Sequence, residues 1–263
     1  PFSTTLRLEA GAAFSRYSFR VDRLDNYYDA FGNLIAQDRQ KLDNAPPAFN
    51  LGNVQLALVG DNANFGLTAP LSGHRYRFGI EQYFGEFNYT AATADYRIYR
   101  YFKPVGVAFR ALHYGRYGGN SEGLFPLYAG SPWYLRGLNS AAAQDIFVQN
   151  GRSFDDLLGS KLLVTNFEVR IPFSGPEQLA LDKSKFLFSD LNFFVDGGVA
   201  FNSFSELYED SRDIRFQRAK PIFTAGASVR LNVFGALVLE PYYAVPLVKE
   251  TKGVFGLNII PGW

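Results

Sequence analysis

In the stretch KLLVTNFEVRI, which spans residues 161–171, polar and apolar side chains alternate from Asn166 to Ile171. Phe167 and Val169 fall on one face of an extended chain, whereas Glu168 and Arg170 fall on the other. A period of two residues predicts a β-strand with one apolar face. The same alternation runs through residues 105–116 and 223–233, so this stretch is typical of the chain.

Read in this way, the whole chain consists of strands, with weak helical signals and no domain linker. The predicted strands are residues 3–24, 51–68, 74–85, 87–102, 105–117, 161–173, 189–202, 221–233, 236–247 and 253–262. Many of them reach ~10 residues or more, whereas soluble strands average about 5–6 residues. A tilted strand that crosses a membrane needs about 9–11 residues.

Strand period alone does not separate a soluble β-sandwich from an outer-membrane barrel, since both have strands with one apolar face. Aromatic residues make up 17% of the chain, and many lie at predicted strand ends, as in the girdles of membrane barrels. These residues are Tyr27, Tyr28, Tyr99, Tyr101, Phe102, Tyr242, Tyr243 and Trp263. Together with strand length, they favour the barrel.

The connections between predicted strands alternate between short turns and long loops, which is typical of outer-membrane barrels. The short ones are residues 69–73, 103–104 and 234–235, and the long ones are about 30–50, 118–160 and 203–220. We therefore predict an all-β, antiparallel transmembrane β-barrel of about ten strands. A single barrel domain over residues 1–263 accounts for the whole chain.

Composition excludes several kinds of function. The 26 basic and 25 acidic residues give a net charge of +1, which argues against a nucleic-acid-binding protein. The chain has no cysteine and only two histidines, His74 and His113, so thiolate and multi-histidine metal centres are excluded. We expect no metal, no cofactor and no enzymatic activity.

Three segments in a fixed order carry a family resemblance. Residues 131–138 (SPWYLRGL) hold an Arg-Gly pair in the longest loop, residues 166–173 (NFEVRIPF) form the next strand, and residues 193–199 (FFVDGGV) form the strand after it. This order resembles the Arg-Gly-aromatic loop, Glu-bearing strand and Phe-x-Asp-x-Gly strand of the BamA/TamA outer-membrane assembly superfamily, also called the bacterial surface antigen family. Residues 61–73 are similar to its Asp-Asn…Pro-x-x-Gly turn.

This resemblance implies a fold, a place and a role. The family's barrels have sixteen strands, so the roughly ten strands here are expected to form the C-terminal part of such a barrel, with loop 118–160 folded inward. The family implies the outer membrane of a Gram-negative bacterium and a role in inserting or exporting other proteins. Expected partners are outer-membrane lipid, client proteins and other subunits of an outer-membrane complex.

The loop motif Leu135, Arg136, Gly137 and Leu138 is the first predicted functional site. Glu168 and Asp196 share the polar face of neighbouring predicted strands, where two carboxylates repel each other unless a cation bridges them. Because a guanidinium presents a fork of donors to carboxylates, we predict that Arg136 enters the barrel and pairs with both. Leu138 stands where the family usually has an aromatic residue. The alternative is a solvated Arg136.

The second predicted site is the terminal strand. Gly253, Gly256, Pro261 and Trp263 lie in or next to it, and glycine and proline weaken strand pairing. A weakly paired terminal strand would let the barrel open sideways and offer an edge to a client strand.

Two other function classes stay open at this point. A passive pore or structural receptor barrel would use the same strands without handling clients. A membrane-embedded lipid hydrolase would need Ser121, in the sequence GNSEG of residues 119–123, together with a histidine base. No helix signal follows Ser121, which disfavours the hydrolase.

Overall fold

The computed structural model describes residues 2–138, 152–208, 219–248 and 252–261. These residues are almost entirely β-structure, with two short 3-10 helices, η1 (Phe154–Leu157) and η2 (Phe204–Leu207). The strands are β1 (Leu6–Tyr17), β2 (Val21–Tyr28), β3 (Leu34–Leu42), β4 (Phe49–Asp61), β5 (Asn64–Phe65), β6 (Pro70–Gly85), β7 (Tyr89–Phe102), β8 (Val105–Tyr117), β9 (Leu127–Tyr128), β10 (Leu158–Gly159), β11 (Lys161–Gly175), β12 (Asp182–Lys183), β13 (Phe188–Phe201), β14 (Ile222–Val233), β15 (Leu237–Pro246) and β16 (Val254–Pro261). In these four ranges, no helix has the length and hydrophobicity to cross a membrane.

Ten strands form one continuous antiparallel path in the order β1-β4-β6-β7-β8-β11-β13-β14-β15-β16. The short strands β5 and β12 pair beside this path. The prediction of about ten strands is confirmed, and β8 has the predicted bounds, residues 105–117. Within the described ranges the path runs from β1 to β16 and does not close into a ring.

The first two long strands, β1 and β4, end earlier than the sequence predicted. The predicted strand 3–24 ends early, at Tyr17, and a separate hairpin follows, with β2 beginning inside the predicted strand and β3 in the predicted loop 30–50. This hairpin was missed because residues 37–41 (QDRQK) are polar on both faces and show no period. The predicted strand 51–68 ends at Asp61, where the chain turns back before β6.

The sheet has an apolar outer face and a polar inner face. Phe167 is 42% exposed, whereas its neighbour Glu168 is only 7% exposed. On adjacent strands, Phe109, Phe193 and Phe223 are exposed in the same way. Exposed phenylalanine beside buried carboxylate reverses the pattern of a water-soluble protein and matches a barrel whose outer face contacts lipid.

The loop between β8 and β11 packs against the inner face. Leu135, Leu138 and Leu157 from this loop form a buried apolar cluster with side chains of four strands. The strand residues in the cluster are Leu112, Leu162, Val164, Ala200 and Ile222. This packing brings the described part of the loop inside the sheet, directly above the polar residues of β11, β13 and β15.

Candidate functional site

The predicted loop motif lies in a tight turn against the inner face. Backbone N–H groups of Tyr134 and Leu135 both donate to the carbonyl of Ser131, at 2.8 and 2.9 Å. Gly137 has a φ of +84°, and a Cβ added there would lie 2.7 Å from the Cβ of Ala244 on β15. Only glycine combines this backbone conformation with so close an approach.

The side chain of Arg136 pairs with three buried carboxylates. Its Nε and Nη2 donate to the two oxygens of Asp196 at 2.8 and 2.7 Å, which is a bidentate fork. Its Nη1 lies 2.9 Å from Glu168 Oε1 and 3.2 Å from Glu240 Oε1. The structure therefore brings Arg136, Glu168 and Asp196 together, as the sequence predicted, and adds Glu240.

Glu240 was not predicted as a partner of the loop. It lies on β15, two strands beyond Asp196 along the sheet path, so sequence spacing does not indicate the contact. The available signal was the alternation of side chains along the strand, because Val238, Glu240 and Tyr242 share one face and are more buried than the residues between them.

Every named residue of the Phe-x-Asp-x-Gly motif on β13 contacts the loop. The guanidinium of Arg136 stacks on the ring of Phe194, 3.5 Å from its centroid, while Asp196 holds the fork. A Cβ added at Gly198 would lie 3.0 Å from the side chain of Leu135. This motif on β13 is thus a binding surface for the Arg136 loop.

Two further arginines complete a charge-balanced cluster. Arg170 Nη2 lies 2.6 Å from Glu168 Oε2, and Arg230 Nη2 lies 3.0 Å from Glu168 Oε1 and 3.1 Å from Glu240 Oε1. Three guanidiniums thus face three carboxylates. We name Arg136, Arg170, Arg230, Glu168, Asp196 and Glu240 the ion cluster.

The charge of Arg136 is secured by its surroundings. Burial alone would lower the pKa of its guanidinium, but the hydrogen bonds to Asp196 and the charges of Glu168 and Glu240 outweigh burial and raise the pKa above its usual value. Arg136 therefore stays protonated at every physiological pH.

Leu138, which replaces the family's usual aromatic residue, is fully buried. Its carbonyl accepts a hydrogen bond of 2.6 Å from the hydroxyl of Tyr128. Its side chain belongs to the apolar cluster described above. The loop therefore retains an apolar anchor at this position without an aromatic ring.

A second set of arginines lines the inner face of β7 and β8. Arg97 and Arg110 both bind Asp95, at 2.7 and 2.9 Å. Arg110 also donates to the carbonyl of Trp133 in the loop, at 3.0 Å. A cavity of about 210 Å³ lies between these residues and the ion cluster.

The predicted terminal site is only partly described. β16 pairs with β15 over eight residue pairs, from Val254 opposite Ala244 to Pro261 opposite Leu237. The rings of Tyr243 and Tyr242 lie against Gly253 and Gly256. Pro261 is the last described residue of β16. Trp263 lies outside the described residues.

Ser121 lies in a turn, where its N–H donates to the carbonyl of Gly118. Both ring nitrogens of His113 are engaged, by the carbonyl of Leu162 at 2.9 Å and the hydroxyl of Tyr117 at 2.5 Å. His74 stacks on Tyr76 on the outer face. A serine hydrolase places its nucleophile on a sharp turn between a strand and a helix. In the described residues 118–138, Ser121 is not followed by a helix.

Comparisons with known proteins agree with this geometry. The family model described as the Omp85 superfamily domain matches residues 1–256. The solved structure of CdiB from Acinetobacter baumannii resembles the chain with a TM-score of 0.51 and 12% sequence identity, which shows a shared fold. The likeness covers 99% of this chain and 40% of CdiB, so the chain spans less than half of that protein's length. No curated protein sequence matches the chain.

The CdiB likeness and the exposed apolar face confirm the predicted antiparallel β-barrel fold. The family match confirms the resemblance read from the loop and strand motifs. This family consists of outer-membrane barrels that insert or translocate proteins. From its motifs, its fold and a match over residues 1–256, the chain belongs to the Omp85 superfamily.

Proposed function

We propose that this chain is the barrel domain, over residues 1–263, of a Gram-negative outer-membrane protein that assists the insertion or export of other proteins. Membership of the Omp85 superfamily supports the general role. The observation that carries the proposal for this chain is the seating of Arg136 on three buried carboxylates inside the sheet.

The ion cluster is poorly explained as a stabilising device. Removing charges from water is so costly that well-packed apolar residues often stabilise a core as much or more. A cluster of paired charges instead gives a loop one defined position that a competing group can displace. We infer that the Arg136 loop is a movable element that occupies the barrel interior and responds when a client protein enters.

The terminal strand supplies a place for the client. β16 lies at the end of the sheet path and pairs with β15. An edge strand presents unpaired backbone groups, to which an extended client segment adds by main-chain hydrogen bonding. We propose that Gly253, Gly256, Pro261 and Trp263 form a seam where the barrel opens sideways for this exchange.

The partners follow from this mechanism. Outer-membrane lipid covers the apolar face that carries Phe109, Phe167 and Phe193, and unfolded client proteins meet the seam and the loop. Accessory subunits of an outer-membrane complex are further expected partners. Neither catalysis nor a cofactor is needed, because strand exchange makes no covalent bond.

A passive pore is the competing function, favoured by the arginine-lined cavity between Arg97, Arg110 and the ion cluster. The two functions differ in one experiment. The full-length protein is placed in lipid vesicles and supplied with an unfolded outer-membrane β-barrel protein, whose folding is followed by protease resistance. In parallel, ion conductance is recorded in planar bilayers.

We expect client folding to be faster in vesicles with the protein than in empty vesicles. Vesicles that contain an unrelated porin serve as the control, because they present a barrel without the loop motif. Steady ion conductance with client folding no faster than in the porin control would contradict the proposal and favour the pore.

A further inference from the structure

A second element enters the barrel interior from the end opposite to the Arg136 loop. Residues 62–69, which we name the inner turn, connect β4 to β6. Along the sheet path, β6 is separated from β13 by β7, β8 and β11. The inner turn nevertheless contacts β11, β13 and β14, so it reaches across the inner face rather than following the wall.

Three contacts fix the inner turn to the far strands. The hydroxyl of Thr68 donates to Asp190 Oδ2 on β13. The amide of Asn232 on β14 donates to the carbonyl of Leu67 at 2.8 Å. The side chain of Leu67 packs directly against Gly175 at the end of β11.

The contact with Asp190 is the most demanding of the three. Asp190 is 1% exposed, and its other oxygen, Oδ1, has no hydrogen-bond partner among the described residues. A buried carboxylate with so few partners is costly, so the hydroxyl of Thr68 matters more than a surface hydrogen bond would. Asp190 thus depends on the inner turn staying in place.

Arg170 joins the inner turn to the ion cluster. Its Nη1 donates to the carbonyl of Pro70, the first residue of β6 directly after the inner turn, at 2.9 Å. Its Nη2 lies 2.6 Å from Glu168 Oε2, and Glu168 Oε1 in turn binds Arg136 at 2.9 Å. A continuous line of polar contacts therefore runs from the inner turn to the arginine loop.

We propose that the inner turn is a latch for the Arg136 loop and that Arg170 is the positioning residue between them. With the turn docked, the carbonyl of Pro70 holds Arg170, and Arg170 orients Glu168 towards Arg136. When the turn leaves, Arg170 loses its anchor, Glu168 loses its orientation and the loop is held less firmly. A partner that binds at the end of the barrel with the inner turn would thereby loosen the Arg136 loop, which enters from the opposite end.

The test uses backbone hydrogen–deuterium exchange of the full-length protein in detergent micelles. Thr68→Val keeps the shape of the side chain but removes the donor to Asp190. Asn64→Ala is the matched control, because Asn64 lies in the same turn, its side chain is exposed and its amide donates to the hydroxyl of Ser72, at 3.2 Å. Exchange is compared in residues 62–70 and in the loop segment 129–138.

Losing a hydrogen bond to a buried charged group is expected to speed local exchange by about ten-fold or more. For Thr68→Val we expect faster exchange in both segments, and for Asn64→Ala in residues 62–70 alone. Faster exchange in the inner turn with an unchanged loop would overturn the proposal.

If Thr68→Val leaves the inner turn protected, the double variant Leu67→Ala/Thr68→Val also removes the packing against Gly175. An inner turn that stays protected in the double variant would overturn the proposal too, since these contacts would then not hold it. The readout needs no client protein, so the latch and the proposed function can fail separately.

Discussion

Replacing Arg136 by alanine removes the guanidinium that binds both oxygens of Asp196. In the variant, Arg170 and Arg230 face three carboxylates, so the cluster carries an uncompensated negative charge. Of its contacts with the described residues, Asp196 keeps the amide of Asn166, at 2.8 Å, and the backbone N–H of residue 136, at 3.2 Å. Breaking a buried ion pair by removing one partner costs about 3–5 kcal/mol, and we expect a loss of that size in the free energy of unfolding.

Arg7→Ala is the matched control. Arg7 also faces inward and binds one carboxylate, Glu9, at 2.7 Å, but its side chain is 55% exposed. An exposed ion pair contributes about 0–1 kcal/mol. The two variants therefore remove the same side chain from the same face of the sheet and differ in burial.

Unfolding in guanidinium chloride, followed by tryptophan fluorescence in micelles, measures the difference. The chain has two tryptophans, and one of them, Trp133, lies three residues before Arg136 and reports on the loop. We expect the midpoint for Arg136→Ala to fall by about 1 M and that for Arg7→Ala to change little. Equal midpoints for the two variants would refute the reasoning, because burial of the cluster would then carry no cost.

Three other substitutions have defined outcomes. Gly137→Ala places a methyl group against Ala244 at a positive φ, so we expect a loss of about 1–3 kcal/mol in unfolding free energy; an unchanged midpoint would contradict the tight seating. Phe167→Arg puts a charge on the lipid face and should cost about 2–4 kcal/mol, whereas a loss below 1 kcal/mol would argue against lipid contact there. Glu240→Gln leaves Arg136 its other two carboxylates, so the loss should be smaller than for Arg136→Ala, as the same unfolding assay checks.

The strands were predictable because each buries one face and exposes the other. In β8 and β11 apolar side chains recur at alternate positions on the outer face, and the predicted bounds agree with the structure within two residues. The β2–β3 hairpin was not predictable, since its second strand is polar on both faces. A period of two arises when one face of a strand is buried and the other is exposed, and β3 is exposed on both faces.

The ion cluster was predictable in part. Charge complementarity and shared parity on neighbouring strands were enough to place Arg136 on Glu168 and Asp196. Other contacts join elements that are not neighbours along the sheet, such as that of Glu240 with Arg136 and that of Thr68 with Asp190. These contacts depend on how far apart the two elements lie along the sheet. That separation is set by the order of the strands in the whole sheet and leaves no trace in local spacing.

The most direct test of the account is the rate at which the full-length protein folds a client barrel in lipid vesicles, measured for Arg136→Ala and Arg7→Ala at a temperature where both variants stay folded. The account predicts a clear loss of rate for Arg136→Ala and a rate near that of the unmodified protein for Arg7→Ala. Equal rates for the two variants would contradict the claim that the seated arginine loop takes part in protein insertion.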